Sequence, residues 1–156
     1  MTRTAASRAL QAVPAMVLDC SVTMSWLFAD EANKKTDALL PLLIEQGAVV
    51  PNLWHLEVAN VFTQAQKRNR ISAAQVAERI SLLEQLPISV DSQTSHRGLR
   101  EIFVLAAEYQ LSSYDAAYLE LAMRAALPLA TVEKALLKAA SKAGVETYPT
   151  SSPLVK

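Results

Sequence analysis

The chain has few of the residues from which most cofactor and redox sites are built. Its 156 residues include 3 glycines, 1 cysteine and 2 histidines, aromatics make up 6%, and 15 basic side chains balance 15 acidic ones. Gly47, Gly98 and Gly144 stand too far apart to form a dinucleotide fingerprint or a phosphate-binding loop, which need glycines a few residues apart. Cys20 is alone, so it forms no intramolecular disulfide, and with only His55 and His96 beside it no Cys/His zinc site can be completed. A reducing cytoplasm suits such a chain. There is no G-x-S-x-G elbow and no histidine next to Cys20, so nucleophilic acyl transfer has little support. The zero net charge lacks the basic excess that marks many nucleic-acid binders, although a metal ion or a local patch supplies positive potential that composition does not count. Apolar runs end well short of the roughly 18–20 residues needed to cross a membrane.

What is present is aliphatic: 51% of residues are hydrophobic, and Ala and Leu supply most of the packing. A chain of this length fits one domain that buries roughly 68–70% of its unfolded surface. Residues 1–15 carry Arg3 and Arg8 among Ala, Ser and Thr, with no acid and no continuous apolar stretch. They read as a disordered extension, a tag remnant or a mis-assigned start, with the domain expected over 16–148 and a loose Ser/Pro-rich tail over 149–156.

Met16-Val-Leu-Asp-Cys20 reads as a buried strand, with helix from Ser21 to Phe28 and a second helix from about Glu31 to Gln46, stopped by Gly47. A strand over 48–51 precedes helices at about 53–69 and 72–86. After Pro87 come a strand over 88–90, helices at about 95–109 and 112–126, a strand over 127–131, a helix over 132–143 and a strand over 145–148. Alternation of this kind implies an α/β fold: a three-layer α/β/α sandwich with a central parallel sheet.

Four acids stand out, and each also has an ordinary explanation. Asp19 closes a buried strand, where a carboxylate is costly unless it caps the next helix or meets a cation. Glu57 shares a helix face with Asn60 and also reads as a solvated side chain. Asp115 completes a Ser112-x-x-Asp115 capping spacing, and Glu133 fits the first turn of a helix, where the macrodipole favours acids. Topology links them, because parallel sheets place their sites outside the C-terminal strand ends, where Asp19 and Glu133 both fall. Clustered carboxylates repel one another unless a cation is present, and hard oxygen donors select Mg²⁺ or Mn²⁺, which bind phosphate oxygens and activate water.

Val17-Leu-Asp-Cys-Ser-Val-Thr23, Pro51-Asn-Leu-Trp-His-Leu-Glu-Val-Ala-Asn60, Ser113-Tyr-Asp-Ala-Ala-Tyr-Leu-Glu-Leu-Ala122 and Leu127-Pro-Leu-Ala-Thr-Val-Glu-Lys-Ala-Leu136 resemble the PIN-domain family, within it the VapC-type toxin ribonucleases. The resemblance implies metal-binding and catalytic roles for Asp19, Glu57 and Asp115, with Ser21, Asn60, Ser113 and Thr131 as polar support. It extends the same roles to Glu133, although the family usually has Asp there. It also implies neighbouring first and fourth strands, an RNA substrate, a Mg²⁺ or Mn²⁺ cofactor, a homodimer and a cognate antitoxin protein. Apolar faces around Trp54, Phe62 and Leu82–Leu83 could meet partners or pack the core, and Lys67, Arg68 and Arg70 could guide RNA phosphates or simply suit a helix C-terminus. Two alternatives stand beside this reading. A haloacid-dehalogenase-type phosphatase needs a second Asp where Ser21 stands, and a decayed PIN-like module that binds RNA or protein is suggested by Glu133.

Overall fold

In the computed structural model, which describes residues 13–150, the apolar run Met16–Leu18 forms β1 with all three residues buried. The expected extension and tail fall largely outside the described residues; Ala15 is already docked, its N–H donating to the Gly47 carbonyl at 2.9 Å. Four further strands, β2 (Ala48–Pro51), β3 (Ile88–Asp91), β4 (Leu129–Ala130) and β5 (Thr147–Tyr148), complete a five-stranded sheet ordered β3-β2-β1-β4-β5. All neighbours pair in parallel, and helices flank the sheet in the expected α/β/α arrangement. The chain moves outward from β1 through β2 to β3, then returns to the other side of β1 as β4. Val17 pairs with Leu129 and Leu18 with Ala130, so the order reverses between β1 and β4, and a crevice is expected above their C-terminal ends.

Several helices differ from expectation. The single helix over 31–46 is broken into a 3-10 turn (Ala29–Glu31), α2 (Lys34–Asp37) and α3 (Leu40–Gln46), after α1 (Cys20–Leu27). Asn33 is extended and its side chain accepts the Lys35 N–H at 2.8 Å, which starts α2 afresh. Pro41 has no N–H and is tolerated only in a first helical turn, which sets the start of α3. Gly47 ends α3 at φ +82°, and a Cβ there would lie 2.9 Å from the Pro87 carbonyl oxygen, so glycine is required both for the turn and for the close approach of β2 to the start of β3.

α4 (Trp54–Lys67) and α5 (Ala73–Glu84) follow as expected, the latter opened by a full Ser72–Gln75 capping box. The helix expected over 95–109 is instead α6 (Thr94–Arg97), a π turn (Gly98–Ile102) and α7 (Phe103–Tyr109). α8 (Ser113–Ala125) is the central helix: every residue from Ala116 to Ala122 is buried. α9 (Lys134–Ala143) buries Leu136, Ala139 and Ala140. The core gathers β1, β4, Leu43, Leu119 and Leu136, and it includes Trp54 and Phe62, which are therefore packing residues; Leu82 is exposed and Leu83 packs partly against the core. No helix among the described residues is long and apolar enough to cross a membrane.

Candidate active site

Asp19 leaves β1 directly and occupies the N-cap position of α1 with an extended backbone, yet its carboxylate makes no capping hydrogen bond. It is 3% exposed. Its Oδ2 instead accepts from the Ser21 hydroxyl at 2.6 Å and from the Thr131 hydroxyl, just past β4, at 2.8 Å. Those hydroxyls accept in turn from the backbone leaving β4: Val132 N–H reaches Ser21 Oγ and Glu133 N–H reaches Thr131 Oγ1, both at 3.1 Å. A hydroxyl has one proton to give, so two backbone donors aim both protons at Asp19 and fix its orientation.

Glu57 lies half-buried in the first turn of α4, where its Oε1 accepts from the Tyr118 hydroxyl at 2.6 Å. Asp115 lies half-buried in the first turn of α8. Its N–H donates to Ser112 Oγ at 3.1 Å, but its carboxylate does not reach back to the cap as Gln75 does at Ser72. Only the serine half of the expected capping box forms, and the Asp115 carboxylate stays free of it. Glu133 is exposed at the N-cap of α9, one residue before the helix and without a side-chain cap bond. Asn60 and Ser113 are exposed and make no side-chain hydrogen bond to the acids among the described residues.

The acids feel one another. Burial raises the Asp19 carboxyl above its ordinary range; the Ser21 and Thr131 hydroxyls oppose this, and the charge of Asp115 adds to it. Burial likewise raises Glu57, with Tyr118 opposing and Asp19 and Asp115 reinforcing. Asp115 is raised by burial and by Glu133. The Cys20 thiol is pushed far up by burial, then by Glu57 and Asp19, which disfavours the nucleophilic thiolate. Among the described residues none of these acids forms an ion pair, and no three of His, Cys, Asp or Glu stand close enough to make a ready cation cage. The donor set is nonetheless all oxygen and anionic, with no basic partner among the described residues, which fits a hard divalent cation.

A second group of acids sits at the β3 side. Asp91, at the end of β3, accepts Arg124 in a fork at 2.8 and 3.1 Å and the Thr94 hydroxyl at 2.9 Å. Buried Glu120 accepts from Arg124 Nε at 2.9 Å and from Arg97. Sequence reasoning missed this network, although Glu120 and Arg124 have the i,i+4 spacing of a helical ion pair. It also missed Tyr118, whose three-residue offset from Asp115 places both on one helix face. Lys67 and Arg68 are exposed at the far end of α4, about 15 Å along the helix from Glu57 at 1.5 Å per residue. Arg70 is already engaged, 2.6 Å from Asp30 and 3.5 Å from Glu31, with its guanidinium over the Phe28 ring.

The sequence model of the PIN domain matches residues 16–142. No curated protein matches the chain. Among solved structures, the crystal structure of PAE2754 from Pyrobaculum aerophilum is similar in fold, with a TM-score of 0.65 at 19% identity over 89% of this chain and 91% of that one. PIN domains are in general nucleases that use divalent metal ions, the chemistry for which a partly buried group of carboxylates without an ion-pair partner among the described residues is suited. With the match running from the first residue of β1 almost to the end of α9, the chain belongs to the PIN-domain family.

Proposed function

We propose that this chain is a Mg²⁺- or Mn²⁺-dependent endoribonuclease, the VapC-type toxin of a toxin–antitoxin pair. One observation carries the metal-dependent part: Asp19, Glu57 and Asp115 come from three separate elements, the charge of Asp115 reaches both Asp19 and Glu57, and among the described residues no basic side chain pairs with any of the three. The divalent ion would supply water activation and charge neutralisation on the phosphate. The chain's own part is to hold Asp19 through Ser21 and Thr131, to hold Glu57 through Tyr118, and to present Asp115 from the rigid first turn of α8.

In the same reading the chain dimerises and is silenced by its antitoxin. Leu99, Phe103, Val104 and Met123 are exposed around α7 and α8, and such side chains favour a protein partner over water. The apolar cleft of about 380 Å³ between α4 and α5, lined by Val58, Ile80, Leu83 and Ile88, would take an antitoxin segment.

The test is cleavage of a labelled RNA by the purified chain, free of antitoxin. Cutting is expected with Mg²⁺ or Mn²⁺, its loss with a chelator, and its loss in Asp19→Asn. Cutting that survives either the chelator or the substitution overturns the proposal. A second reading, a decayed binding module, draws on the exposed position of Glu133 and on the open arrangement of the acids. Calorimetric titration with Mn²⁺ separates the two: binding at the acids refutes decay.

A further inference from the structure

Tyr118 is fully buried, and among the described residues its hydroxyl has one hydrogen-bond partner, Glu57 Oε1 at 2.6 Å. The two residues lie 61 positions apart on different helices, so neither α4 nor α8 needs this bond to form. A phenylalanine ring would occupy nearly the same space, whereas a hydroxyl in a buried site is costly unless it is satisfied. Packing therefore explains the ring and not the oxygen. Glutamate has a long side chain whose conformers must be restricted before it can act at a fixed point. Tying down Oε1 does this, and it leaves Oε2 as the oxygen free to meet a cation. The donor sits one turn after Asp115 on α8, so a single buried helix sets the position of one acid directly and of a second by hydrogen bond.

We propose that Tyr118 is a positioning residue that holds Glu57 ready for a divalent ion. The inference rests on the metal-dependent reading above and extends it to a residue that touches neither metal nor RNA. Outer groups that orient a ligand commonly change metal affinity by about 10–100-fold.

The test is Mn²⁺ titration by calorimetry on the full chain and on Tyr118→Phe, alone and combined with Glu57→Gln, with a thermal melt of each. Tyr118→Phe is expected to raise the Mn²⁺ dissociation constant about 10-fold or more while the melt stays cooperative. In the Glu57→Gln background the same change is expected to cost less than about twofold, because there is no carboxylate left to orient. Equal Mn²⁺ affinity in the full chain and Tyr118→Phe overturns the inference alone. An equal loss in both backgrounds also overturns it, since Tyr118 would then act through packing. Absence of Mn²⁺ binding by the unsubstituted chain overturns the metal-dependent reading and this inference with it.

Discussion

Two sets of carboxylates lie at the strand ends of this small domain, and they are built in opposite ways. On the β3 side, Asp91 and Glu120 are matched by Arg97 and Arg124. Burial alone would raise Asp91, but the Arg124 and Thr94 hydrogen bonds and the Arg124 charge outweigh it, and the carboxyl ends below its ordinary value. On the β1 and β4 side, hydroxyls hold Asp19 and Glu57, the nearby charges that act on Asp19, Glu57 and Asp115 are those of other acids, and all three are raised, first by burial. The first set is complete as folded. The second carries negative charge that no basic side chain among the described residues balances, as in a site whose positive partner comes from outside.

This contrast gives opposite expectations for substitutions that remove one negative charge. Asp19→Asn keeps an acceptor for Ser21 and Thr131 while removing a buried, repelled charge. RNA cleavage is expected to fall by on the order of 10²–10³ or more, the scale for losing one preorganised electrostatic group, while the melting temperature of the metal-free chain rises. A cleavage assay and a thermal melt check both; a fall in stability would break the comparison. Glu120→Gln is expected to do the reverse. It leaves Arg97 and Arg124 partly buried without their shared counter-charge, 31% and 26% exposed as side chains. Breaking a fully buried pair costs about 3–5 kcal/mol, so about 2–3 kcal/mol is expected here, read by chemical denaturation, with Mn²⁺ affinity unchanged.

Metal and pH probe the same contrast in the unsubstituted chain. For an acid whose folded pKa is raised, the folded state holds the proton more tightly than the unfolded chain. Its contribution to stability is present at low pH and is lost as the pH rises from the ordinary 3.8 or 4.5 through the raised folded value. For Asp91 the order is reversed: its contribution is present above 3.8 and is lost as the pH falls through the lowered folded value. Mn²⁺ at 100 times its dissociation constant should stabilise the chain by about 2.7 kcal/mol at neutral pH. The gain should shrink toward pH 4, where protonated carboxyls no longer bind the ion. Melts at both pH values, with and without Mn²⁺, check this. An equal gain at the two would place the ion elsewhere.

How far each set was legible in the sequence follows from how it is assembled. Asp19, Glu57, Asp115 and Glu133 each stand next to a local signal: a strand end, a helix start or a serine cap. The alternation of elements was enough to imply a parallel sheet with Asp19 and Glu133 after two of its strands, whereas the neighbouring first and fourth strands came from the resemblance to the PIN-domain family. The breaks at Asn33 and Pro41 were also locally encoded, but the run of leucines across 39–43 reads as helix and masks them. The Tyr118–Glu57 bond and the Arg124–Asp91 fork span 61 and 33 positions, and no spacing rule joins residues so distant. What local pattern cannot convey is pairing across the fold, and that is where the two carboxylate sets become different.

Glu133 belongs clearly to neither set. It acts on Asp115 through its charge, yet it is exposed, caps nothing with its side chain and has no basic partner among the described residues. Exposed charges are well screened and typically contribute little, so Glu133→Gln is expected to weaken Mn²⁺ binding about fivefold or less and to leave stability nearly unchanged. Glu133→Asp keeps the charge on a shorter arm and should lose less. Calorimetry with Mn²⁺ on both variants decides the assignment. A loss approaching that of Asp19→Asn would make Glu133 a full member of the metal-facing set, reached by a turn of its side chain. Unchanged affinity in Glu133→Gln would confine that set to Asp19, Glu57 and Asp115, with Glu133 as a solvated charge beside it.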